Sequence, residues 1–327
     1  MLQRTDNFNH YVNQARAGRQ GLWPITFGVL LSVAVYLILT ILFVIVCFFV
    51  YMRMSGLSRE LFLGEKSATD AVTSFLGTRF GQLASVASLA SLWVSVWASV
   101  RLIHGRPLSS VFGQDRRIDW SDFRRAFSAF ALVLFVLQLT SLLFDPQITR
   151  TTLPLAEWFI AALVAAALLF VQSSAEEVFF RGYLTQSLAA RFARPVIWVL
   201  IPIALFTLAH LGKGQPVPLA GAYFGVIAAL GLAFTWLVVR TGNLGAAMGS
   251  HFGNNLVAIL FVSNDSTFDK LALFGGQTIQ QAGQQAGSLS VPAALVAFIP
   301  TFAGLLFSVF LVSHPKSPFA LAAVRQP

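Results

Sequence analysis

The chain has 327 residues, 56% hydrophobic and only 11% charged, with a formal net charge of +9 and a mean hydropathy of +0.73. A soluble domain carries about a quarter charged residues, so the composition excludes a single water-soluble core. It indicates an all-α, polytopic membrane helical bundle.

Residues 1–24 are polar and read as a cytoplasmic tail. Eight apolar runs follow, each near the bilayer-spanning length of about 20 residues: 27–51, 83–103, 127–144, 158–171, 196–211, 219–239, 244–262 and 291–312. The first is too long and too far into the chain for a signal peptide, so it reads as a retained span. Eight spans from a cytoplasmic N-terminus place both termini inside. The inside segments then hold fourteen Lys and Arg against seven outside. That bias follows the positive-inside rule and explains the net charge without nucleic acid. The expected location is the cell membrane, in a multi-pass arrangement.

Cys47, the lone cysteine, excludes an intramolecular disulfide and a cysteine-based metal site; it reads as a small packing residue. The mixed-charge stretch 116–125, "RRIDWSDFRR", reads as a solvated cytoplasmic turn, and the Gln/Gly-rich stretch 275–290 as a polar outside loop. The run beginning at 158 continues as helix to about residue 190. At 1.5 Å per residue that is about 50 Å, so it must tilt, bend or leave the membrane, and Gly182 is the expected break. Pro202 is expected to kink the fifth span before His210.

Ionisable and amide residues gather between residues 173 and 255. Such residues inside a membrane are costly and are functional candidates by default. In "AEEVFFR", Glu177 and Arg181 are i,i+4, the spacing of a helical ion pair. Glu176 is turned about 100° away and faces another surface. "FTLAH" places His210 one turn after Phe206. "HFGNN" places His251 and Asn255 on one helix face, with Asn254 as a rival. Two carboxylates, two imidazoles, a carboxamide and a guanidinium on three helices are a set suited to hydrolysis. A carboxylate helped by a histidine takes a proton from water, and a histidine and an amide N–H stabilise an oxyanion.

These motifs, EExxxR as Glu176-Glu177…Arg181, FxxxH as Phe206…His210 and HxxxN as His251…Asn255, resemble those of the CPBP or Abi family of intramembrane CAAX-type proteases and bacteriocin-processing enzymes. The resemblance covers roughly residues 158–262. It implies an eight-helix endopeptidase that hydrolyses a peptide bond of a membrane-associated protein or peptide. By analogy Glu176 is the general base, His210 helps hold the attacking water, and His251 and Asn255 form the oxyanion hole. Glu177 and Arg181 are the supporting pair. The division that follows is a tail (1–24), N-terminal transmembrane helices (25–150), a catalytic core (151–315) and a C-terminal tail (316–327).

A metal-free mechanism with no cofactor is expected, because Asn255 suits an oxyanion donor better than a ligand. The alternative is zinc held by Glu176, His210 and His251. There is no HExxH and no GxGD, and Ser250, next to His251, points away from it. The rival functions are a non-catalytic membrane immunity or regulatory partner of the same fold, and a proton-coupled transporter. The transporter would show an internal repeat, and none is present in the sequence.

Overall fold

In a computed structural model we describe residues 3–56, 60, 63–64, 67–210, 217–263, 267–276 and 298–325. The chain is an all-α bundle. Its helices are α1 (Asp6–Arg16), α2 (Leu22–Ser55), α3 (Ala68–Leu76), α4 (Arg79–Ser88), α5 (Ser91–Ala98), α6 (Trp120–Phe144), α7 (Leu155–Arg191), α8 (Pro195–Ala209), α9 (Val217–Thr241), α10 (Gly245–Leu260), α11 (Ile299–Ser313) and α12 (Ala322–Arg325). Helices α4 and α5 continue through a π-turn to Ile103 as one apolar rod.

Among the described residues, five helical segments are long and apolar enough to cross a membrane: Leu22–Ser55, Arg79–Ile103, Trp120–Phe144, Leu155–Arg191 and Gly221–Thr241. Helices α8 and α11 are apolar but have 15 residues each, and α10 has 16. Each of the eight apolar runs therefore contains a helix. Three are shorter than the span of a bilayer, because a 15-residue helix covers only about 22 Å. Leu30, Ile38, Ile41, Val46 and Phe49 on α2 are all exposed, as expected of side chains facing lipid.

Among the described residues, three two-residue strands tie loop ends together: β1 (Thr149–Arg150), β2 (Val262–Ser263) and β3 (Phe274–Gly275). β3 lies between them, antiparallel to β1 and parallel to β2. Beyond residue 276, the polar stretch 275–290 lies outside the described residues.

Within the polar segment 1–24, the described residues from 3 onward fold rather than trailing freely. Phe8, Tyr11, Val12 and Ala15 make an apolar stripe on α1 and all are fully buried. Thr5 caps the helix by accepting from Phe8 N. Arg4 donates to Ala189 O (2.8 Å) and Phe192 O (2.6 Å), satisfying carbonyls at the C-terminal end of α7. The stretch 116–125 is likewise more than a solvated turn. Asp119 caps α6, while Asp122 is buried and accepts from Ala322 N at 2.9 Å.

Helix α7 carries the charges and runs without a break for 37 residues. It is α-helical to Glu177, π-helical over Val178–Thr185 and α-helical again to Arg191. Gly182 does not interrupt it. A Cβ there would lie 3.1 Å from Leu244 Cδ1 and 3.2 Å from Val111 O, so the glycine permits a close approach instead. The π-segment is gripped from the side. Tyr11 Oη donates to Val111 O at 2.8 Å and lies 3.3 Å from the carbonyl oxygens of Arg181 and Gly182. Arg106 donates to Gln186 Oε1 (2.6 Å), Ser110 Oγ and Ser187 Oγ; burial pushes its pKa down to about 10. Pro202 lies inside α8 and is buried.

Helix α10 is set against α6 by a glycine seam. Gly245, Gly249 and Gly253 recur every four residues, so they share one face. A Cβ on each would fall 2.3 Å from Asp119 O, 2.1 Å from Phe123 O and 2.7 Å from Phe127 O respectively. The two backbones therefore touch, as small-xxx-small seams allow in membranes. His251 and Asn255 each lie two residues past a seam glycine, about 200° around the helix. The seam thus turns them away from α6 and towards α7.

Candidate active site

The site forms where α7, α8, α9 and α10 meet. Ser173 and Ser174 bond back to the carbonyls of Leu169 and Phe170, each at 2.6 Å, and so present no free hydroxyl. The next turn carries Glu176 and Glu177, which are 6% and 0% exposed. A lone carboxylate in such a place is prohibitive unless paired and hydrogen-bonded.

Glu177 is paired on two sides. Its Oε1 accepts from Arg181 Nη1 at 2.8 Å and from His251 Nδ1 at 2.8 Å. The i,i+4 ion pair expected from the sequence is present. The Arg181 guanidinium is 1% exposed and is enclosed by aromatic faces, 4.4 Å from the Phe206 ring centre and 5.5 Å from that of Phe234. Its Nη2 also donates to Gly231 O at 3.3 Å. Cation–π contact supplements the carboxylate in holding this charge away from water.

His251 bridges the two glutamates. Its Nδ1–H is committed to Glu177, because a carboxylate only accepts. Its Nε2 faces Glu176 Oε2 at 3.7 Å. The ring stacks on Phe234 at 5.2 Å and meets the Phe206 edge at 6.0 Å. Glu176 Oε2 is buried and has no hydrogen-bond partner among the described residues.

Asn255 lies on the same side of α10. Its Nδ2 donates to Gln172 Oε1 at 3.1 Å, while its Oδ1 accepts from Asn254 Nδ2 at 3.2 Å. Asn254 is therefore a neighbour holding Asn255. Gln172, absent from the sequence reading, donates through Nε2 to Glu176 Oε1. Its signal was available: it stands one helical turn before Glu176, on the same face of α7.

His210 is attached less directly. Helix α8 ends at Ala209, and the His210 ring packs on Phe206 at 4.6 Å, with Nδ1 donating to Phe206 O at 2.7 Å. That bond leaves Nε2 as the acceptor nitrogen. No hydrogen bond or ion pair joins His210 to Glu176 or His251 among the described residues. Phe206 is the shared element, touching His210, His251 and Arg181 at once. Its place in the second motif thus has a physical role. Ser250 Oγ is buried and unpartnered, and nothing links it to His251.

Zinc can be tested against this donor set. Among the described residues, no three His, Cys, Asp or Glu side chains are grouped so as to hold a metal ion. His251 Nε2 and Glu176 Oε2 face each other at 3.7 Å, but among the described residues no bond brings His210 to either, so Glu176, His210 and His251 as arranged here do not make a three-ligand site.

Buried, paired charge on α7 lies beside a histidine and an amide on α10, a set of groups able to support hydrolysis. Residues 156–257 match the family model of type II CAAX prenyl endopeptidase Rce1-like proteins. The chain is 27% identical over 262 residues to Uncharacterized protein YyaK of Bacillus subtilis (strain 168), an alignment covering 79% of this chain and 82% of that protein. No solved structure matches it. The matched segment contains all three motifs and the whole polar cluster, and it is in this segment that the chain is similar to the CPBP family of intramembrane CAAX-type proteases.

Proposed function

We propose that the protein is an intramembrane endopeptidase that hydrolyses a peptide bond of a membrane-embedded protein or peptide. The observation that carries this is Glu176 Oε2. It is a buried, unpartnered carboxylate oxygen, 3.7 Å from an imidazole nitrogen, on a helix long and apolar enough to cross a membrane. Glu177 Oε2 is likewise buried and unpartnered, but Glu177 is already engaged through Oε1 by Arg181 and His251, whereas Glu176, among the described residues, accepts only from the Gln172 amide.

Glu176 Oε2 takes a proton from the attacking water and later delivers it to the leaving amine. His210 offers Nε2 as an acceptor to hold that water. As the carbonyl becomes tetrahedral, His251 Nε2–H and the second N–H of Asn255 Nδ2 donate to the oxyanion. With both its ring nitrogens protonated, His251 also makes the cluster of Glu176, Glu177, Arg181 and His251 electrically neutral, which favours it in a low-dielectric site. Glu177 holds Arg181 and His251 in place and takes no proton.

The reaction as proposed uses no metal, and both termini lie on the cytoplasmic side of the cell membrane. Elemental analysis of active purified protein with a chelator titration tests the first point; stoichiometric zinc whose removal and return switch activity off and on would overturn it. The peptidase reading itself is tested by cleavage of transmembrane reporter peptides by wild type and Glu176→Gln. A non-catalytic partner protein would show no Glu176-dependent cleavage.

A further inference from the structure

We propose that Gln172 is a positioning residue of this reaction. It selects which oxygen of Glu176 acts as base, and it turns the Asn255 carboxamide so that its N–H groups face the substrate carbonyl. The inference rests on the peptidase reading above.

Gln172 is 7% exposed and contacts Glu176 on its own helix and Asn255 on α10. An ionised carboxylate can only accept, so Gln172 must present its NH2 end to Glu176. Its carbonyl is then forced to the opposite side. There it accepts from Asn255 Nδ2 at 3.1 Å. Asn255 must in turn present its NH2 end, and its own carbonyl accepts from Asn254 Nδ2 at 3.2 Å. Three amides thus point one way, from Asn254 to Glu176. A reversed Asn255 would set carbonyl against carbonyl at Gln172, and a buried clash of that kind is costly.

Two consequences bear on chemistry. Gln172 occupies Oε1 of Glu176, which leaves Oε2, the oxygen nearest His251, as the base. One hydrogen of Asn255 Nδ2 goes to Gln172, so the other has a fixed direction for donation. Gln172 itself touches neither water nor substrate in this scheme and acts through its two neighbours. If it merely packed α7 against α10, its loss would lower stability and leave turnover in the folded fraction intact.

The test uses the full-length protein in detergent micelles or liposomes. Its probe is a fluorescence-quenched peptide with one apolar transmembrane helix, taken from a panel as one that wild type cleaves and Glu176→Gln does not. Folded Gln172→Leu should lower kcat by about 10²-fold, the scale of a 1 Å misplacement, with KM nearly unchanged. In an Asn255→Ala background the same change should cost less than about 10-fold, because the two residues act as a unit. Gln172→Glu keeps the shape and can accept from Asn255 but cannot donate to an ionised Glu176; it should lose kcat likewise, and it serves if the Leu variant fails to fold. Wild-type kcat in either folded variant, or fully multiplicative losses with Asn255→Ala, would overturn the inference alone. Absence of any Glu176-dependent cleavage across the panel would overturn the peptidase reading and this inference with it.

Discussion

Replacing Gly249 by alanine adds one methyl group where two helix backbones meet. That Cβ would lie 2.1 Å from Phe123 O, 2.9 Å from Phe123 C and 3.0 Å from Phe123 Cα. All three atoms are backbone, so no side chain can swing aside. Restoring an ordinary separation of about 3.5 Å requires α10 to part from α6 by more than about 1 Å. Overpacking of this kind costs about 1–3 kcal/mol. The same shift carries His251 and Asn255 with it, and misplacement by about 1 Å costs about 10²-fold in rate. Gly221 on α9, where a Cβ meets nothing within 4 Å, provides the control. Thermal unfolding and peptide turnover of the two alanine variants should separate cleanly, with Gly249→Ala less stable and slower and Gly221→Ala like wild type. If Gly249→Ala matches Gly221→Ala in both, the seam does not set the position of α10.

Glu177→Gln removes the carboxylate shared by Arg181 and His251 and leaves a buried guanidinium unpaired, at a cost of about 3–5 kcal/mol; an unchanged unfolding temperature would show that the aromatic enclosure suffices without it. Asn255→Ala should lower kcat by about 10²–10³-fold with KM nearly constant, whereas Asn254→Ala, which removes only a donor to Asn255, should lose much less. A collapse in Asn254→Ala alone would transfer the oxyanion role to that residue.

Local spacing made part of this site legible in the sequence. The i,i+4 distance from Glu177 to Arg181 gave the ion pair, found at 2.8 Å, and the same spacing placed His251 and Asn255 on one face of α10. Hydrophobic run lengths gave the all-α membrane bundle. What escaped depends on partners distant in the chain. That His251 donates to Glu177, 74 positions away, follows from the packing of α10 on α7 and from no local pattern. The π-winding of Val178–Thr185 has no periodic signature either, and a glycine such as Gly182 suggests a break in sequence because its close approach to Leu244 and Val111 depends on distant neighbours. Averaged polarity hid the four-residue apolar stripe of α1. Two signals were present and went unread: the Gly245, Gly249, Gly253 repeat and the amide one turn before Glu176.

In the proposed reaction Glu176 is the base of a peptide hydrolysis carried out inside the bilayer. Turnover of a transmembrane peptide by purified Glu176→Gln, set beside its unfolding temperature, tests this most directly. We expect a protein that unfolds close to the wild-type temperature and yields no cleavage above background, since Gln cannot take the proton. Wild-type turnover in folded Glu176→Gln, with Glu177→Gln folded and inactive, would contradict it and exchange the roles of the two glutamates.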